Sequence, residues 1–124
     1  MDIAARLRGL FSETRAIADG EAAGLKLFAH GAQPDFAKGI YEMPIQRTIA
    51  GSLDDGDCFY DVGANIGFFS LIAARRVGET GKVYAFEPVH RNAAGIERSA
   101  ELNGFAERLE VFEEAAFRWT GSKA

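Results

Sequence analysis

The residues best suited to chemistry lie in one short stretch, Asp61-Val62-Gly63-Ala64-Asn65-Ile66-Gly67, and at Glu87 further along the chain. Cys58, Phe59 and Tyr60 run apolar without alternation, the pattern of a strand buried on both faces of a parallel sheet. Asp61 breaks that run where the strand should end. Gly63, Asn65 and Gly67 follow at every second position, and an apolar helical pattern starts at Phe68. A strand, a glycine turn and a helix in that order form a nucleotide-binding corner. The glycines let the backbone approach a ligand closely, and the start of the helix offers unpaired N–H groups to a polar or anionic one. Glu87 ends the next apolar run, Val83-Tyr84-Ala85-Phe86. A carboxylate there can accept hydrogen bonds from both hydroxyls of a ribose. The expected ligand is therefore a nucleoside-bearing cofactor.

Its identity turns on three positions. A dinucleotide fingerprint wants glycine where this chain has Asn65 and Phe68, and the second is the greater obstacle, since the third glycine permits close helix–strand packing. Asp61 would repel a pyrophosphate. It suits a cationic ligand with an amino-acid portion, such as S-adenosylmethionine. The balance favours that cofactor over NAD, which stays open as the alternative.

The chain that must position these groups has 124 residues, 48% hydrophobic and 26% charged. That is enough for one small domain with a core. A formal charge of −4, with both signs interspersed, gives no reason to expect nucleic acid or an anionic membrane as partner. The single cysteine, Cys58, excludes an internal disulfide and is expected to be a small core hydrophobe. No run approaches a membrane span, and Arg6, Arg8, Glu13 and Arg15 interrupt any signal-like segment, so a cytoplasmic protein is expected.

Ile3, Leu7, Leu10, Phe11, Thr14 and Ile17 recur at helical spacing and predict an amphipathic helix from Asp2 to Ala18, stopped near Gly20. From Gly24 to Gly39, Leu25, Leu27 and Ala29 alternate briefly and then Gly31, Pro34 and Gly39 mark loops, with His30 an ordinary loop histidine. A second helix begins around Pro44 with Ile45, Ile49 and Leu53 on its apolar side, and the turn Asp54-Asp55-Gly56-Asp57 leads into the Cys58 strand. A helix runs from Phe68 to Val77, another from His90 to Asn103 with Asn103-Gly104 as its cap, and a third strand starts at Leu109. Strand and helix alternate, which predicts right-handed crossovers and a parallel sheet.

The stretch Asp61–Gly67 resembles the first motif of class I S-adenosylmethionine-dependent methyltransferases. It is most similar to the FkbM-type branch, where asparagine stands in place of the middle glycine. The resemblance extends to Tyr41-Glu42, to Gly81-Lys82-Val83-Tyr84-Ala85-Phe86-Glu87-Pro88, to Asn92 and to Leu102-Asn103-Gly104. It implies a Rossmann-like α/β domain whose loop Gly63, Ala64, Asn65 and Gly67 holds the methionine portion, with Glu87, followed by Pro88, at the ribose. It also implies methyl transfer to a hydroxyl of a small molecule or sugar. Such a sheet has seven strands. This chain supplies three, in the order 3-2-1, after N-terminal helices. The expected division is therefore an N-terminal extension over 1–39 and a truncated cofactor-binding domain over 40–124. The Cys58 strand would be left as an edge with apolar residues on both faces, open to self-association or to a complementing chain.

Outside the corner the chemistry thins. No residue stands out as a catalytic base: His90 reads as an exposed residue of a first helical turn. No metal-ligand set is visible. Asp61 has a second role open to it, capping the loop through backbone N–H groups. Glu113 and Glu114 read as surface charges at a strand end. Phe59, Tyr60, Phe68, Phe69 and Phe86 read as core. The alternative to an enzyme is a non-catalytic nucleotide- or partner-binding remnant of the NAD(P) type.

Overall fold

The computed structural model describes residue 3, residues 14–29 and residues 33–115. The predicted helix from Asp2 falls mostly outside these residues, and His30 lies outside them. Its described end is not helical. Thr14–Ala16 (β1) pairs antiparallel with Lys26–Phe28 (β2) around a 3-10 turn at Gly20–Ala22. Tertiary contacts override the helical spacing here. Ile17, Leu25 and Leu27 are buried, Ser99 Oγ accepts from the Phe28 N–H at 2.9 Å, and Asn103 both accepts from the Lys26 N–H (2.8 Å) and donates to its carbonyl (2.7 Å). Arg75 adds its guanidinium, donating to the Ala23 carbonyl at 2.8 Å and to that of Glu21.

A short helix, Pro34–Lys38 (α1), follows in the region that read as loop; proline starts it and Gly39, at φ 79°, ends it. Met43–Ser52 (α2) is the helix predicted around Pro44, but its buried stripe is Gln46, Ala50 and Leu53, while Ile45 is exposed. Gln46 is fully buried because it is fully used. Its Oε1 accepts from the Glu21 N–H (3.0 Å), and its Nε2 donates to the carbonyls of Gly39 (3.0 Å) and Tyr41 (2.7 Å).

The rest follows the predicted alternation: Cys58–Val62 (β3), Phe68–Val77 (α3), Lys82–Phe86 (β4), His90–Leu102 (α4) and Leu109–Phe112 (β5). The three strands form a parallel sheet in the order β3-β4-β5, which leaves β3 at an edge. Its hydrophobic core is shared with the N-terminal region, since Ile17, Leu25, Leu27 and Phe36 join Leu71, Ile72, Val83 and Ile96.

Burial on both faces of the sheet does not hold. Val83, Ala85 and Leu109 face the helices, whereas Cys58, Tyr60 and Val62 are exposed, the last two at 63% and 66%. Cys58 is therefore not a core residue. On the open face the aromatic rings stack across strands, Tyr60 on Tyr84 at 5.3 Å and Phe86 on Phe112 at 5.0 Å. All described helices pack from the other side, so the strands alternate as one-sided strands do. Among the described residues, no helix is long and apolar enough to cross a membrane.

Gln46→Leu keeps the volume but strands one N–H and two carbonyls. It is expected to lower stability by about 2–4 kcal/mol in urea unfolding, given about 1–3 kcal/mol for each buried group left unpaired. A loss under about 0.5 kcal/mol would contradict this account of Gln46.

Candidate functional site

Asp61, Gly63, Ala64, Asn65, Gly67, Glu87 and Pro88 all lie at the carboxyl ends of β3 and β4. The pairing of the two strands brings them together. Val62 is in register with Phe86, and the Phe86 carbonyl accepts from the N–H groups of both Gly63 (2.9 Å) and Ala64 (3.0 Å). The loop then turns over the end of β4. Its next N–H, that of Asn65, donates to Glu87 Oε1 at 2.8 Å. Pro88 has no N–H to give, and the other oxygen, Oε2, accepts from Val89 at 2.9 Å. Glu87 is 5% exposed, so this carboxylate is both buried and satisfied by backbone. Each oxygen keeps a further lone pair for a ligand hydroxyl.

Asn65 holds the turn in another way. Its φ of 55° is in the left-handed region, where asparagine is tolerated far better than most side chains. Its Oδ1 accepts from Asn92 Nδ2 at 3.2 Å, which ties the loop to α4. Gly67 is needed for space as well as conformation: a Cβ there would lie 2.9 Å from the Ile96 side chain. In this chain Gly67 therefore provides the close approach that Phe68, fully inside the core, cannot. Gly63 differs, because a Cβ there would meet nothing within 4 Å. The backbone at Gly63 faces open space, as a loop that receives a ligand must.

Asp61 turns inward to the first turn of α3, where Ser70 Oγ donates to its Oδ2 at 2.5 Å. Burial raises its carboxyl above the ordinary carboxylate value; the hydroxyl and backbone N–H of Ser70 act in the opposite direction, and the charge of Glu87 adds to the rise. Nothing in the sequence spacing of Asp61 and Ser70 signals this pair. His90 stands on the rim with Nδ1 2.8 Å from Glu113 Oε1, and this carboxylate raises the imidazole above its usual value. His90 and Glu113 are thus partners of each other.

Beside the loop lies a cavity of about 150 Å³ lined by Phe36, Tyr41, Gly63, Ala64, Asn65, Ile66, Phe68 and Phe69. Phe36 was not foreseen as a site residue, because its stretch read as loop. The residues present fit S-adenosylmethionine in kind: an open glycine turn, a carboxylate with spare lone pairs, and an acidic rim suited to a cation. Neither Asp61 nor Glu87 forms an ion pair with a described residue.

No family model matches the sequence, and no curated protein matches it significantly. Solved structures do. A SAM-dependent O-methyltransferase from Thermotoga maritima aligns with a TM-score of 0.53 at 30% identity, over 57% of this chain and 28% of that one. TYW2 from P. horikoshii, in complex with MeSAdo, aligns with a TM-score of 0.60 at 21% identity, over 77% and 35%. A SAM-dependent methyltransferase from Aquifex aeolicus gives 0.52 at 23%, over 60% and 40%. The fold is the Rossmann-like α/β fold of these methyltransferases, and the chain spans between about a quarter and two fifths of their length.

The raised carboxyl of Asp61 carries a sign. The folded chain holds that proton more tightly than the unfolded one, so the favourable contribution is present below the unfolded value and is lost as pH rises through the folded value. Asp61→Asn keeps an acceptor for Ser70 without the buried charge. It should melt at or above the parent's temperature at pH 7, with the difference shrinking in acid. A variant several degrees less stable at pH 7 would contradict the assignment.

Proposed function

We propose that this chain is the cofactor-binding portion of an S-adenosylmethionine-dependent methyltransferase, of the FkbM type and corresponding to its N-terminal half. The observation that carries the reading is the corner itself: the Asp61–Gly67 turn, with Asn65 left-handed, laid over the end of β4 and tied to Glu87. The likeness to the Thermotoga maritima O-methyltransferase supports it. S-adenosylmethionine supplies a methyl group on a sulfonium sulfur, open to in-line displacement by an acceptor oxygen.

The chain's own part is positioning, which supplies much of the rate of such a transfer. The loop N–H groups and the α3 start hold the amino-acid end, and Glu87 accepts from the ribose hydroxyls with the lone pairs that Asn65 and Val89 leave free. The acceptor we propose is a hydroxyl of a small molecule or sugar, in the cytoplasm, with neither nucleic acid nor membrane as partner. The edge of β3 is the proposed place for self-association or for a complementing chain; that β3 pairs with β4 alone among the described residues supports it.

Calorimetry with S-adenosylmethionine and with NAD tests the reading. Binding of the first is expected, and binding of NAD alone would overturn it in favour of a nucleotide-binding remnant. Glu87→Ala should weaken S-adenosylmethionine by about 1–3 kcal/mol, as losing a charged acceptor does. An unchanged affinity would remove Glu87 from the site.

A further inference from the structure

We propose that Phe36 and Tyr41, from outside the glycine corner, form with Phe68 and Phe69 an aromatic wall that selects the positively charged sulfonium centre of the cofactor, next to the amino-acid end held by the loop. The proposal rests on the S-adenosylmethionine reading above and adds to it the residues that sense the ligand's charge.

Size comes first. A cavity of about 150 Å³ is smaller than the roughly 300–1,000 Å³ of pockets that enclose a whole drug-sized ligand. It takes one portion of a long molecule, the methionine arm up to its sulfonium. The wall is aromatic on one side and loop backbone on the other. The Tyr41 ring lies 4.3 Å from Phe36, 5.8 Å from Phe69 and 6.1 Å from Phe68, edge-on to the last. Such a cluster offers apolar surface and electron-rich faces, which attract a cation desolvated against them.

Asp61 and Glu87 stand at the adjoining strand ends with no ion-pair partner among the described residues. Neither carboxylate lines the cavity, so it is the rings that must sense a charge there, and a cation with alkyl arms satisfies them. A thioether is of similar shape and lacks the charge.

The backbone is also specialised at this place. Among the described residues two that are not glycine have positive φ, Asn65 at 55° and Glu42 at 47°. Asn65 lines the cavity, and Glu42 directly follows Tyr41. Sparsely populated conformations persist only where surrounding structure enforces them, and they gather at ligand sites. Here Gln46 enforces one side, since its side-chain amide donates to the Tyr41 carbonyl at 2.7 Å. The wall is thus held by the same buried glutamine that anchors Gly39 and Glu21.

The test compares S-adenosylmethionine with S-adenosylhomocysteine, its neutral thioether counterpart, by calorimetry on the full chain and on Tyr41→Leu, Tyr41→Phe and Phe69→Leu. Tyr41→Leu should weaken S-adenosylmethionine by about 2- to 30-fold, the usual span of a cation–π contact, and S-adenosylhomocysteine by less than 2-fold. Tyr41→Phe should retain the parent's preference. If Tyr41→Leu fails to fold, Phe69→Leu is decisive with the same expected split. Equal losses for the two ligands, or no loss for either, would overturn the charge-sensing wall while leaving the methyltransferase reading intact. A parent chain that binds neither ligand would overturn both.

Discussion

A buried carboxylate with no ion-pair partner among the described residues organises this corner. Glu87 sits at the end of β4 and accepts from the N–H of Asn65, just ahead of α3, and from that of Val89, the N-cap of α4. Taking a charged carboxylate out of water is costly unless it is well hydrogen-bonded. Two charge-assisted bonds of about 1.5–3 kcal/mol each offset that cost, and the positive ends of two helices add to them. The same bonds set the height of the glycine loop over the sheet. Glu87 is in turn fixed from the far side, where its N–H donates to the Phe112 carbonyl at 3.0 Å. The loop, the start of α4 and the third strand thus meet at one residue.

The rest of the fold supports that corner from one side. The N-terminal hairpin is clipped to α4 through Ser99 and Asn103 and to α3 through Arg75, so it braces the two helices whose starts frame Glu87. Gln46 sets the path from Gly39 to Tyr41, which brings the aromatic wall to the loop. Among the described residues, the opposite face of the sheet carries stacked aromatic rings and no helix, and β3 pairs on one side alone. The corner's hydrogen bonds lie within the described residues, among which the sheet beneath it is covered on one face.

Much of this was legible in the sequence, for reasons that differ by element. The loop, α3, β4, α4 and β5 are local patterns: glycine spacing, apolar period and the Asn103-Gly104 cap each state their own structure. The strand order and the edge position of β3 followed from the resemblance. What failed did so where distant residues decide. Thr14–Ala16 fits a helical wheel, yet Lys26–Phe28 and α4 make it a strand. Cys58 and Tyr60 have the composition of a buried strand, and composition cannot say whether a second layer covers them. Ile45 has the right spacing for the core, but Gln46 takes the place because three backbone groups need it. Within the site, the glycines and both carboxylates were readable. The Asp61–Ser70 bond, the Asn65–Asn92 bond and the contribution of Phe36 were not, since each depends on how separate elements meet.

The central claim is that Glu87 itself holds the loop, and amide hydrogen exchange followed by NMR reads this directly without any ligand. The Asn65 and Val89 amides should be protected together in the parent, and in Glu87→Gln both should exchange markedly faster while buried α3 amides such as Leu71 stay protected. Exchange of Asn65 and Val89 as fast in the parent as in an open loop, or unchanged protection in the variant, would contradict the account.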